Sequence, residues 1–160
     1  MYPLLSSNRT PPELITRIVY KQLLKSIHGF CFIACLAFRT AFFIKKADDT
    51  ALKVEYNGDL RIASCLDCCK RWFFTFDGVE CSGPLAIDGL INIASNHGKT
   101  DTNIHRVHYI GGYCQGISAG AVRVGINVGD CVGKKSGSDA YTGWNSVTRI
   151  MIEEVPAPQK

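Results

Sequence analysis

From residue 39 onward, apolar and polar residues alternate in short stretches separated by Gly-, Asn- and Asp-containing breaks. A period of two over four to eight residues is the signature of half-buried strands, because successive side chains on a strand point to opposite faces. Leu52, Val54 and Tyr56 alternate with Lys53 and Glu55, and Leu60 and Ile62 resume the alternation after Asn57-Gly58. That dipeptide predicts a hairpin turn. Trp72 to Phe76 is an aromatic strand that Asp77-Gly78 stops, and Val79 and Cys81 follow before the break Ser82-Gly83-Pro84. Stretches 85–93, 104–110, 121–128 and 146–155 carry further β-branched or aromatic alternation, and Pro156 and Pro158 end the last. At least seven short strands with Gly-rich turns and no convincing helix predict an all-β antiparallel sandwich of jelly-roll type over residues 39–160.

Residues 1–38 read differently. Thr10-Pro11-Pro12-Glu13 has the form of a capping box. Behind it, Leu14 and Ile18, then Ile15, Val19 and Leu23, recur at helical spacing, with Gly29 as a stop. The stretch 27–38 (IHGFCFIACLAF) is almost purely apolar. Twelve residues are too few for a stable membrane span, which needs about 20. A basic lead before a short apolar run fits a signal-like segment, with Cys35-Leu36-Ala37 as a cleavage site. A helix packed on the domain fits the same pattern, so the expectation for 1–38 is an N-terminal helix or signal-like segment.

Composition narrows the function class. Eighteen Lys and Arg against fourteen Asp and Glu leave a charge of +4, too mild for a nucleic-acid binder. Fifteen glycines in 160 residues exclude collagen itself. Eight cysteines are many for a reducing compartment and predict disulfides in an oxidising one. Six lie beyond residue 38: Cys65, Cys68, Cys69, Cys81, Cys114 and Cys131. They can pair in fifteen ways, and sequence does not choose among them. Cys68 and Cys69 are adjacent, so each should seek a partner elsewhere.

Motifs for catalysis or cofactors fail one by one. Residues 129–135 (GDCVGKK) have three residues between the glycines and Lys after Lys, where a phosphate loop needs four and a hydroxyl. Gly112, Gly116 and Gly120 stand at GxxxG spacing, but Gln115, Ser118 and Arg123 lie in or beside the ladder and argue against paired membrane helices. His105 and His108 with Cys65-x-x-Cys68-Cys69 suggest zinc, yet residues three apart on a strand face opposite ways. Asp48-Asp49 and Glu153-Glu154 suit solvated strand ends better than calcium. There is no Gly-x-Ser-x-Gly elbow. No enzyme, metal or cofactor is implied.

One run is too idiosyncratic for a generic β pattern: residues 68–84, CCKRWFFTFDGVECSGP. It closely resembles the C-terminal domain of the collagen triple helix repeat-containing protein 1 family. The resemblance continues through Asn103-Ile104-His105-Arg106, Cys114-Gln115-Gly116-Ile117, Thr142-Gly143-Trp144-Asn145-Ser146-Val147 and Ile152-Glu153-Glu154. Upstream, Ala51-Leu52-Lys53-Val54 and Gly58-Asp59-Leu60-Arg61 also fit, so it covers roughly residues 40–155. It implies a C1q/TNF-like jelly-roll head of a secreted matrix protein that assembles as a homotrimer. It also implies partners among Wnt and Frizzled-type receptors of the planar-polarity branch, or matrix proteins, with effects on collagen deposition and cell migration. The chain departs from the family in three places. No Gly-X-Y stretch occurs in these residues, Ala41 stands where the family has a Cys, and Asn103 is not followed by the family's Asn-x-Ser/Thr pattern. A bridge lost at Ala41 would otherwise be rerouted to Cys31 or Cys35.

Two surfaces follow as expectations. Trp72, Phe73, Phe74 and Phe76 form two faces of one strand, of which a central strand should bury one. If the other is exposed it is the natural trimer contact, with Trp72 and Phe74 as candidates, and if both lie inside they are core. Alternatively, Tyr141 and Trp144, beside Asp139 and Asn145, suit the stacking platform of a lectin-like carbohydrate module.

Overall fold

A computed structural model describes residues 16–21, 39–94, 102–134, 138–144 and 146–158. They form ten strands: β1 (Thr16–Lys21), β2 (Arg39–Lys45), β3 (Thr50–Ala63), β4 (Cys68–Phe76), β5 (Val79–Glu80), β6 (Asp88–Ile93), β7 (Asn103–Cys114), β8 (Gly120–Asp130), β9 (Asp139–Thr142) and β10 (Thr148–Pro156). All pairings are antiparallel. The first sheet runs β1-β10-β3-β7, with β9 taking over from β10 beside the far half of β3. The second runs β2-β8-β4, with β5 and β6 sharing the far side of β4. The architecture is the jelly-roll sandwich that the alternation predicts.

The core lies between the sheets. From the first come Leu52, Val54, Tyr56, Leu60, Ile62, Ile110, Ile150 and Ile152; from the second come Phe43, Trp72, Phe74, Val122, Val124 and Ile126. Trp72 is 0% exposed, and its indole N–H donates to Thr142 Oγ1 at 2.9 Å, so the largest core side chain keeps its polar atom satisfied by β9. Phe74 is 0% exposed as well. Strand 72–76 turns one parity, Trp72, Phe74 and Phe76, into the core and leaves Phe73 half-buried on the outer side of the sheet. Trp72 and Phe74 are core residues and offer nothing to a partner.

Two further expectations are corrected. Asn57-Gly58 makes no turn: β3 runs unbroken through it for 14 residues. The parity of the apolar residues requires this. In a two-residue hairpin Tyr56 would pair with Asp59, and Leu60 and Ile62 would then face away from Val54 and Tyr56. Gly58 has another reason to be glycine, since an added Cβ would stand 2.7 Å from Thr148 Cγ2 and 2.7 Å from the Tyr56 hydroxyl. That hydroxyl donates to the Asp59 carbonyl at 3.1 Å.

The second correction concerns the N-terminal helix. Residues 16–21, inside the stretch with helical spacing, form β1, paired with β10 from Thr16↔Glu153 to Lys21↔Thr148. Thr16, Ile18, Val19 and Tyr20 favour strand, and the free side of β10 supplies the partner that settles an ambiguous short pattern. The capping box, the apolar run 27–38 and the cleavage-site reading lie outside the described residues. Among the described residues no helix is long and apolar enough to cross a membrane.

The six cysteines beyond residue 38 form three disulfides: Cys65–Cys68, Cys69–Cys131 and Cys81–Cys114. Cys68 and Cys69 do take separate partners. The first bridge closes the corner where the chain passes from β3 to β4, next to the hydrogen bond from Ser64 N to the Thr102 carbonyl at 2.9 Å. The second ties the start of β4 to the residue after β8, and the third joins the residue after β5 to the end of β7, one sheet to the other. Ala41 is buried in β2, and these six cysteines need no replacement partner.

Candidate interaction surface

On β7 the even-numbered residues Ile104, Ile110 and Cys114 turn toward the core, so the odd-numbered ones form the outer face of the first sheet. There the sheet shows Val107 at 78% exposure, Tyr109 at 59% and Tyr113 at 44%. Gly111 lies between the two tyrosines, and an added Cβ would stand 2.6 Å from the Tyr109 hydroxyl. Tyr109 therefore lies across the bare backbone of Gly111, and its hydroxyl donates to Glu55 Oε1 on β3 at 2.6 Å. This bond is the main cause holding the Glu55 carboxyl below its ordinary value and raising the Tyr109 hydroxyl above its own. Lys53 adds ion pairs to Glu55 at 3.2 Å and Glu153 at 3.8 Å.

At the other end of the same face, Arg61 is the organising residue. Its guanidinium carbon lies 4.9 Å from the centre of the Tyr141 ring and 4.5 Å from that of Trp144, and its Nε donates to Asn103 Oδ1 at 2.8 Å. Tyr141 and Trp144 meet edge to face at 4.9 Å. Strand register explains the cluster, because Arg61 is paired with Tyr141 of β9 on one side and His105 of β7 on the other. His105 Nδ1 lies 2.9 Å from Asp59 Oδ2. Tyr141 and Trp144 thus come together as the sequence suggests, but Arg61 stacks on both rings. The angle between the rings is filled by this chain's own cation.

His105 is on the outer face and His108 on the inward parity, as the strand argument requires. Among the described residues no three His, Cys, Asp or Glu are gathered to hold a metal ion. Asp48 and Glu154 have structural partners instead. Asp48 Oδ1 accepts from Ala119 N at 2.7 Å. Glu154 accepts from Lys46 N at 2.8 Å, Ala47 N at 3.0 Å and the Thr50 hydroxyl at 2.6 Å, clasping the β2–β3 connection to β10.

The model of the CTHRC1 C-terminal domain matches residues 33–152 of the chain. The chain belongs to that family. The match covers the blocks that carry the resemblance and most of both sheets, so the disulfide-bonded sandwich is a CTHRC1-type head domain. The tyrosine stripe of this head was not singled out from sequence. Its signal is Tyr109-x-Gly111-x-Tyr113, three positions of one parity on which apolar or small residues continue beyond what the core needs.

Proposed function

We propose that this domain is a secreted, non-catalytic interaction head that assembles as a homotrimer through the outer face of its first sheet. The reading extends to modulation of Wnt and Frizzled-type signalling in the planar-polarity branch, and of matrix deposition and cell migration. Family membership supports the signalling part, and three disulfides support an oxidising, extracellular setting.

The observation that carries self-association is the β7 stripe. Val107, Tyr109 and Tyr113 expose an aromatic and aliphatic band, bordered by Glu55, which is held by the Tyr109 hydroxyl and Lys53. An apolar centre with a polar rim is the usual anatomy of a protein interface. A closed three-fold ring lets one such face on each protomer meet its neighbours.

Binding of the secreted full chain to immobilised Wnt and Frizzled ectodomains tests the reading. The expected result is saturable binding that Val107→Glu weakens by disrupting assembly. A well-folded protein that binds neither ectodomain in any assembly state contradicts the signalling part. The carbohydrate alternative at Tyr141 and Trp144 gains no support, because the stacking platform it needs is taken by Arg61.

A further inference from the structure

We infer that the outer face of the second sheet, opposite the self-association face, carries a binding groove for a carboxylated sugar. Glycine creates the groove. Gly125 of β8 is paired with Thr40 of β2 on one side and Thr75 of β4 on the other, so the side chains around it stand above a bare strip of backbone. The depression holds about 390 Å³ and is lined by Thr40, Phe73, Thr75, Arg123, Asn127 and glycine. That is within the ~300–1,000 Å³ of small-ligand clefts.

Three features define what fits. Arg123 is exposed and has no ion-pair partner among the described residues, whereas Arg71 on the same face is neutralised by Glu80 and Asp88. A planar guanidinium left unpaired beside a groove suits a carboxylate, which it can meet with two parallel hydrogen bonds. Asn127 and Thr75 are 5% and 7% exposed, an unusual depth for polar residues on the outer side of a sheet. Asn127 Nδ2 donates to Thr75 Oγ1 at 2.8 Å, and Asn127 Oδ1 has no hydrogen-bond partner. An unpaired buried acceptor calls for an O–H or N–H donor. Phe73 lines the groove as well, with the Arg71 guanidinium stacked 4.7 Å from its ring centre, so it bounds the site without offering an open stacking face.

One unpaired guanidinium, a neutral buried acceptor and neighbouring hydroxyls match a single hydroxylated acid such as a sugar acid better than the alternatives. A polysulfated or phosphorylated ligand would call for several cations. A peptide docking as an added strand is excluded here, because β4 and β8 have neighbours on both sides and their backbones are already paired. The inference is independent of the trimer reading, since it uses the other sheet.

The test is calorimetric titration of the oxidised full chain with a hyaluronan tetrasaccharide, which carries glucuronate, and with fully N-acetylated chitotetraose, a neutral tetramer of the same type of ring without the carboxylate. Hyaluronan is expected to bind saturably and chitotetraose about tenfold more weakly, the loss of one charged hydrogen bond. Arg123→Gln should weaken hyaluronan binding by about tenfold or more, and Thr40→Val, a near-isosteric change at an exposed site, by severalfold. Arg149→Gln, on the opposite sheet, should leave it unchanged. Absence of saturable binding, equal affinity for the two sugars, or equal losses in the Arg123 and Arg149 variants would overturn the inference. So would tetraglutamate binding with the Arg123 dependence while hyaluronan does not bind.

Discussion

Gly58 and Glu154 show how much single positions in this sandwich carry. Replacing Gly58 by Ala would drive a methyl group to 2.7 Å from both the Thr148 methyl and the Tyr56 hydroxyl, in the middle of a strand that is buried there. Overpacking of this kind costs about 1–3 kcal/mol, or a melting shift of about 2–4 °C per kcal/mol, and thermal denaturation of Gly58→Ala should show the loss. Gly78, with φ of +91°, is glycine for a different reason. With Asp77 at φ +52° it forms the turn between β4 and β5, a left-handed conformation that a substituent would strain. The two dipeptides look alike in sequence, and only Asp77-Gly78 turns. Register separates them, because the apolar parity runs on through Asn57-Gly58. Glu154 makes a pH-dependent contribution. Burial alone would raise its carboxyl, but the hydrogen bonds from Thr50, Lys46 N and Ala47 N and the charge of Lys45 outweigh it and hold the group below its ordinary value of 4.5. A carboxyl depressed by folding contributes stability that is present above about pH 4.5 and is lost as pH falls through the folded value. Glu154→Gln should therefore lower stability at pH 7 by about 1–3 kcal/mol and flatten the acid limb of the stability curve. Denaturant midpoints measured from pH 7 down to pH 3 check both, and parallel curves for the two proteins would contradict the assignment.

Strands were legible where one parity was apolar and the other polar. They were not where both parities were apolar or the stretch was short. In β2, Ala41, Phe43 and Lys45 are buried while Phe42 and Ile44 are 62% and 60% exposed, so the sequence shows an apolar block without a period. Six-residue β1 is the other case. Ile15, Ile18 and Val19 satisfy a helical spacing as readily as a strand, and pairing with β10 decides between them. The cysteines illustrate a third limit, since spacing showed that Cys68 and Cys69 need separate partners but left the pairing to the fold. Once the pairing is known, chain length ranks the bridges. Sequence separations of 62, 33 and 3 residues correspond, in the loop-entropy model, to about 4.3, about 3.7 and about 1.6 kcal/mol. Paired Cys→Ala variants should lose stability in the order Cys69/Cys131, then Cys81/Cys114, then Cys65/Cys68. Denaturant midpoints provide the ranking, and a largest loss at Cys65/Cys68 would show that native-state strain or packing at that corner outweighs chain entropy.

At the scale of the whole molecule, a sandwich buries the inner faces of both sheets and leaves two outer faces open to contact. The sequence left strand 72–76 open between a contact face and a fully buried strand, because that strand holds the densest aromatics, Trp72, Phe73, Phe74 and Phe76. Large aromatics are also what a core needs, and a central strand turns one parity inward. An outward apolar stripe lies on β7, where Tyr109 and Tyr113 offer both an apolar ring and a hydrogen-bonding hydroxyl and so suit a surface that meets both water and a protein. The central claim is that this face joins copies of the chain. Light scattering after gel filtration of the secreted, unreduced full chain measures it most directly. A particle of three times the 17.6 kDa chain mass is predicted, falling to a monomer with Val107→Glu and unchanged with Val132→Glu, a fully exposed site between β8 and β9. A wild-type monomer at all concentrations, or a trimer that survives Val107→Glu, would contradict it.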